Sequence, residues 1–277
     1  MIKFTILSEN RDNDIYKGES GLSVYLEING NRFLLDTGYS SLFLENAAKL
    51  GIDVDNLDMV VFTHGHSDHT NGVAHLSPGK KIIIHPEGFK ERYSKRKKEY
   101  VGFPMSLEEL KEKHDVLLSR EAIEFIDGVY FLVEIPMNVD FEMNGNFSTT
   151  LDAALTQKDY TEDDSGIAIK TDEGLVVMTG CGHRGVCNTI EHAKIVTGED
   201  RIFAVLGGFH LRDLEKQKII LDKTIEYLID NNVKHLYLGH CVTDDVIEYF
   251  RNNVKDIEIH ALAAGKEFCI NKTKKLG

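Results

Sequence analysis

The chain has 277 residues, 42% of them apolar, which is enough for a sizeable core and excludes global disorder. Its 45 acidic and 32 basic side chains leave a formal net charge of −13, a field that repels nucleic acid and anionic membrane. No stretch approaches the roughly 20 apolar residues needed to cross a bilayer, and the opening "MIKFTILSEN" turns polar without a cleavage pattern, so a cytoplasmic location is expected.

Short β-type runs open the chain at 3–7, 22–28 and 32–35, the last two joined as a hairpin through "NGN" at 29–31. "LLDTG" ends a strand in a glycine turn, and Ser40 is placed to cap a helix that runs to about residue 50, where Gly51 stops it. Strands are predicted at 59–62 and 81–84, the second ending in His85-Pro86. Residues 87–115 change character: "KERYSKRKKEY" is basic with little apolar periodicity, and "SLEEL" opens a short helix. The stretch 137–164 has weak periodicity and reads as a long loop, a length that is usually functional or mobile in a compact domain.

Regular patterning returns with a second hairpin, 167–170 and 175–178, around "TDEG". A helix at 186–196, a strand at 202–206, a helix at 214–231 and a strand at 234–238 follow. A last helix at 244–251 precedes strands at 257–259 and 267–270. Both halves run as strands in meander and then strands alternating with helices, which predicts two packed sheets with helices outside them. The expectation is a single domain over 1–277 with a lid-like insertion at about 87–160.

The strongest chemical signal is "THGHSDHTNG" at 63–72, directly after an apolar run. His64 and His66, two apart on a turn, can converge on one cation, and Asp68 and His69 are offset to serve a second one close by. Nitrogen and carboxylate donors suit zinc first, with iron and manganese as alternatives, so one or two divalent ions are implied. Three later strands each end in a glycine-rich turn with a histidine: "TGCGH" (His183), "LGGFH" (His210) and "LGH" (His240). Glycine lets the backbone turn sharply beside a metal or an anion, and successive strand ends form one rim of a sheet. The four cysteines, Cys181, Cys187, Cys241 and Cys269, include no C-x-x-C pair and read as thiols.

The H-x-H-x-D-H turn after an apolar strand resembles the metallo-β-lactamase superfamily, an α/β fold built as a four-layer αββα sandwich that binds one or two metals between its sheets. "GLVVMTGCGHRGVCNTI", "AVLGGFHL" and "LYLGHC" resemble one branch of it, the dihydropterin-ribofuranosylaminobenzene 5′-phosphate synthase-like group. The likeness runs through most of the chain and is weakest between 87 and 160. It implies His240 as the last ligand of the second metal and places His183 near the remaining protein ligand. Where the superfamily usually reads T-G-D this chain reads "TGCGH", so Cys181 stands in the slot of the bridging aspartate as a possible additional ligand or a small buried thiol. The usual third histidine is replaced by Glu162, Asp163 and Asp164, any of which is a candidate ligand. Asp36 resembles the aspartate that supports the metal-binding turn.

A bound divalent cation generates hydroxide at neutral pH. Asp68 is then both a ligand and the group that orients or deprotonates the nucleophile, and His210 either binds metal or donates a hydrogen bond to a developing oxyanion. The basic run supplies Lys90, Arg92, Lys95 and Arg96, which read either as a solvated face or as a lid drawing in an anionic substrate. A hydrolase acting on a small anionic, phosphorylated substrate is the first expectation. The resemblance implies the alternative, a synthase or lyase of a phosphoribosyl or pterin-type compound, and a non-hydrolytic metal-binding or redox protein comes third. Neither nucleic acid nor membrane is expected as a partner, and nothing in the sequence speaks to oligomeric state. His75, His114, His192, His235 and His260 have no supporting context and read as ordinary.

Overall fold

The structure is a computed structural model that describes residues 1–142 and 148–270. Residues 143–147 of the expected loop and 271–277 at the C-terminus lie outside the described residues. The described chain divides into two compact units. The first comprises Met1–Arg120 with 148–163 and 263–270, and the second comprises 121–142 with Asp164–Leu262.

Seven strands form the sheet of the first unit, in the order Glu267–Ile270, Ile2–Ser8, Ser23–Ile28, Asn31–Leu35, Met59–Val61, Lys81–Ile84, Asp115–Leu118. The first four pair antiparallel and the last four parallel, Asn31–Leu35 belonging to both sets. Asn29 (φ 53°) and Gly30 (φ 87°) turn the predicted hairpin with two positive φ angles, which matches the right-handed twist of its strands. The helix Leu42–Leu50 ends on Gly51 in the left-handed region, as its sequence predicts, and buries Phe43 and Ala47 among Leu7, Tyr25 and Leu34.

The sheet of the second unit also has seven strands: Glu258–Ala261, His235–Leu238, Ile202–Gly207, Gly174–Thr179, Gly166–Thr171, Val129–Leu132, Ile123–Ile126. Here the first four are parallel and the last four antiparallel. Helices Val186–Thr197, Lys218–Asp230 and Asp244–Asn253 pack on one face around Val177, Val205, Leu236 and Leu238. The third of these is polar on average yet fully docked, because Val246, Ile247 and Phe250 recur on one stripe. Burying each contributes about 1.5–3 kcal/mol, and such packing of one apolar face, rather than intrinsic propensity, stabilises a helix of this length.

The helix expected at 214–231 begins later, at Lys218. Asp213 accepts the Lys216 N–H and Gln217 accepts those of Arg212 and Asp213, so side chains hold 212–217 as a turn. Among the described residues, five strands have no counterpart in the sequence reading: Tyr93–Ser94, Asp115–Leu118, Ile123–Ile126, Val129–Leu132 and Thr149–Thr150. Among the described residues of the expected loop, only the 3-10 turn Asp140–Glu142 and the short strand Thr149–Thr150 are regular. No helix among the described residues is long and apolar enough to cross a membrane.

Candidate metal-binding turns

In the first unit the strand Met59–Val61 delivers Thr63 and His64, and the four-residue helix Ser67–Thr70 begins after His66. His64 and His69 are fully buried and His66 nearly so, whereas Asp68 is half-buried. The ring of His64 lies 4.7 Å from that of His66 and 4.2 Å from that of His69, centroid to centroid.

Asp36 organises this cluster. It follows the neighbouring strand Asn31–Leu35 with φ 56°, a left-handed conformation that Asp tolerates better than most residues. Its carboxylate is fully buried and accepts the Thr63 N–H at 2.8 Å, the Thr63 hydroxyl at 2.7 Å and the His69 Nδ1–H at 2.7 Å. Because the Thr63 hydroxyl gives its proton to Asp36, its oxygen acts as acceptor for His64 Nδ1–H, 3.0 Å away. His64 and His69 therefore carry their protons on Nδ1 and present Nε2 as the lone-pair donor. His66 is turned the other way: its Nε2 lies 3.4 Å from Thr149 Oγ1 and 3.8 Å from Asp159 Oδ2, which leaves Nδ1 as its donor atom. Imidazoles fixed in one tautomer by a carboxylate behind them are what metal ligation requires.

A second brace lies behind the turn. Arg92 is fully buried, and its guanidinium donates to Asp159 at 2.9 Å and Asp163 at 2.5 Å, with weaker bonds at 3.3 Å to the carbonyls of Glu87 and Gly88. Asp163 in turn accepts the Gly65 N–H at 2.7 Å. Gly65 must be glycine, since a Cβ there would stand 1.9 Å from the Gly88 carbonyl oxygen. Burial alone would raise the pKa of Asp159, but the neighbouring His66, 3.8 Å away, and the charge of Arg92 outweigh it and hold the carboxyl far below its usual range.

Of the two expectations for the basic run, a solvated face does not hold for Arg92, because it is fully buried and its charge is taken up by two buried aspartates. Lys95 and Arg96 are exposed as expected, and Lys90 is paired with Glu87 and Glu162. Lys90, Arg92, Lys158 and Tyr160 line a cavity of about 520 Å³ in this unit. The three acids at 162–164 are engaged as supports: Glu162 with Lys90, Asp163 with Gly65 and Arg92, and Asp164 with the Arg184 N–H at 2.7 Å in the second unit. His85 is structural, its Nδ1 accepting the Glu87 N–H at the start of a 3-10 turn.

In the second unit three adjacent parallel strands each end in one of the predicted glycine–histidine turns, at the carboxyl edge of the sheet. After Gly174–Thr179 come Cys181, Gly182 and His183; after Ile202–Gly207 comes His210; after His235–Leu238 come His240 and Cys241. His210 and His240 are buried with φ of 51° and 52°, a conformation sparsely populated by any residue with a Cβ. Gly207 has φ 131°, and a Cβ there would stand 2.2 Å from the Thr179 carbonyl oxygen. The rings of His183 and His210 are 4.6 Å apart. Cys241 ties the turns together: its sulfur accepts the His210 N–H at 3.2 Å and its thiol donates to the Cys181 carbonyl at 3.4 Å. One donor atom each from Cys181, His240 and Cys241 lies within 4.8 Å of the others. The sequence places Cys241, like Cys181, beside a histidine-bearing turn, but Cys241 is not among the expected ligands.

These donor sets, a carboxylate-braced triple-histidine turn and three histidine turns on parallel strand ends, accompany the matches to known proteins. Residues 16–192 match the family model of the metallo-beta-lactamase superfamily. The chain belongs to the metallo-β-lactamase superfamily. Within it, the chain is 30% identical to the 7,8-dihydropterin-6-methyl-4-(beta-D-ribofuranosyl)-aminobenzene-5′-phosphate synthase of Methanocaldococcus jannaschii, over 92% of this chain and 91% of that protein, and it falls in that group of the superfamily. It is 24% identical to the exodeoxyribonuclease WalJ of Streptococcus pneumoniae, over 87% of this chain and 82% of that one. A crystal structure described as a metal-dependent hydrolase of the beta-lactamase superfamily matches with a TM-score of 0.85 at 27% identity, covering 98% of this chain and 99% of that one. The fold class is thus the α/β sandwich class of the superfamily, as the sequence predicts.

Proposed function

We propose that this chain is a metal-dependent, hydrolase-like enzyme acting on a small anionic, phosphorylated substrate. The observation that carries the reading is the chain of short contacts from Asp36 to Thr63 and His69 Nδ1 and from Thr63 to His64 Nδ1, which fits protons on both Nδ1 atoms and Nε2 lone pairs as donors on a buried turn. In this reading His64, His66, Asp68 and His69 are metal ligands, with His183 and His240 as further ligands and Cys181 as an additional one. The nitrogen, carboxylate and thiolate set fits one or two divalent ions, zinc first and iron or manganese next. Such an ion, when bound, supplies hydroxide at neutral pH by bringing the pKa of its water to about 7 and stabilises charge on the attacked group.

The chain's own residues then have distinct tasks. Asp68, half-buried on the turn, accepts the proton of the nucleophile. His210, its backbone fixed by Cys241 at the N–H and Gln217 at the carbonyl, presents its ring to a developing oxyanion. Lys95 and Arg96, exposed on the basic run, favour an anionic small molecule, and Lys90, held by Glu87 and Glu162, lines the cavity beside them. Nucleic acid and membrane are outside this reading.

A second reading is favoured by the relative of 30% identity: synthesis of a pterin-linked ribofuranosylaminobenzene phosphate. Both readings are tested with one purified, zinc-loaded protein. Hydrolysis of phosphomonoester and phosphodiester substrates that stops on chelation, returns with zinc and is absent in His64→Ala supports the first. Formation of the synthase product, detected by mass under the same controls, would replace it with the second. Cleavage of DNA at physiological salt, with small esters untouched, would overturn both.

A further inference from the structure

A separate set of donors lies on the sheet of the second unit, among histidines that the sequence marks as ordinary. The parallel strands His235–Leu238 and Glu258–Ala261 are in register with His235 opposite Glu258 and Tyr237 opposite His260. Alternate residues of a strand share a face, so these four side chains lie on one face, opposite to Leu236 and Leu238 in the core. His235 Nδ1 is 3.3 Å and His260 Nε2 is 3.6 Å from the same oxygen, Glu258 Oε2.

We propose that His235, Glu258 and His260 form a second, independent binding site for a first-row divalent cation, zinc in the first place. The spacing is the main argument. A zinc ion holds nitrogen and oxygen donors at about 2.1 Å, which puts donors about 3.4 Å apart along the edge of a tetrahedron. The observed 3.3 Å and 3.6 Å fall on either side of that edge, and one atom from each of the three residues lies within 4.8 Å of the others. Two imidazoles and one carboxylate are the donor chemistry of three-ligand zinc sites, with the fourth position left to water or an added ligand.

The rings are also pre-arranged. Tyr237 stacks on His260 with centroids 4.5 Å apart and planes 13° from parallel, and Phe203 packs on His235 at 4.9 Å. Fixing both rings reduces the entropy that binding must remove. The histidine side chains are 23% and 30% exposed, open enough for an ion to enter, and Glu258, 71% exposed, completes the set from the solvent side. That exposure predicts micromolar rather than nanomolar affinity, because an exposed side chain loses freedom on binding.

The test is zinc titration of the metal-free, full-length protein against a chromophoric competitor. Wild type is expected to bind one more zinc ion per chain, with micromolar affinity, than the His235→Ala/His260→Ala double variant. Glu258→Gln, a conservative change at an exposed position, is expected to weaken that ion at least tenfold with the melting temperature of the metal-free protein unchanged. The micromolar ion is expected to persist in His64→Ala/His66→Ala, which separates this site from the histidine turn. Cobalt(II) in that last variant is expected to give visible d–d bands that weaken when His260 is also replaced. Equal stoichiometry and affinity in wild type, Glu258→Gln and the double variant would overturn the proposal.

Discussion

The histidine turn of the first unit and the three histidine turns of the second are held in place by different forces. Around 63–70 the bracing is buried charge: Asp36 fixes Thr63 and His69, while Arg92 links Asp159 behind His66 to Asp163 under Gly65. In the second unit the bracing is backbone shape, with Gly182, Gly207, His210 and His240 all at positive φ and Cys241 tying two of the turns. A charge brace is strong only while every partner is present, because each survivor is a buried, unpaired ion. A strained backbone instead carries a standing cost, which the surrounding structure must over-determine. The first arrangement should fail abruptly on mutation, and the second should gain stability when its strain is released.

The largest expected effect is therefore in the first unit. Arg92→Ala leaves Asp159 and Asp163 buried without their cation and is expected to destabilise the protein by about 3–5 kcal/mol in urea unfolding. Lys95→Ala, from the same run but exposed, is expected to stay within about 0.5 kcal/mol. A small loss for Arg92→Ala would show that the charge brace carries little stability.

Next is Asp36→Asn, which keeps the shape of the side chain but weakens its hold on His69 Nδ1 and disturbs the proton order through Thr63 to His64. Loss of such an outer partner is expected to lower metal affinity by about 10–100-fold, read by competition with a chelator. Smaller again is the release of strain: His210→Gly and His240→Gly remove the Cβ from left-handed positions. Each is expected to raise the stability of the metal-free protein by up to about 1 kcal/mol, read from thermal melting. A loss of stability in both would show that contacts of the rings outweigh the backbone strain.

The smallest effect concerns His192. Burial holds its imidazole below the usual histidine range against the opposing hydrogen bond to the Val133 carbonyl. The unfolded chain then binds a proton that the folded chain refuses, so stability is full at pH well above 6.5 and declines as pH falls below it. Unfolding of His192→Gln between pH 7.5 and 5 is expected to show a shallower decline than wild type, and an identical slope would remove His192 from the account.

Much of this was legible in the sequence because it is contiguous. The four donor residues of the histidine turn fall within six positions after an apolar strand, and each Gly–His turn adjoins a strand whose apolar run announces it. The braces were not legible, because Arg92 lies 67 residues from Asp159 and Gly65 lies 98 from Asp163. Arg92 sits in a run that looks like a solvated face, and no periodicity distinguishes the one buried cation from its exposed neighbours. Strands Asp115–Leu118 and Ile123–Ile126 escaped for a related reason. Each is a four-residue edge strand with no fully buried position, so neither burial nor alternation leaves a strong pattern.

The central claim, that the turn at 63–70 holds a divalent metal, is tested most directly by elemental analysis of the purified protein. Wild type and His75→Ala, an exposed histidine outside the turn, are expected to carry the same tightly held metal after dialysis. His64→Ala and His66→Ala, folded by circular dichroism, are expected to lose it. Full metal content in His64→Ala would contradict the account.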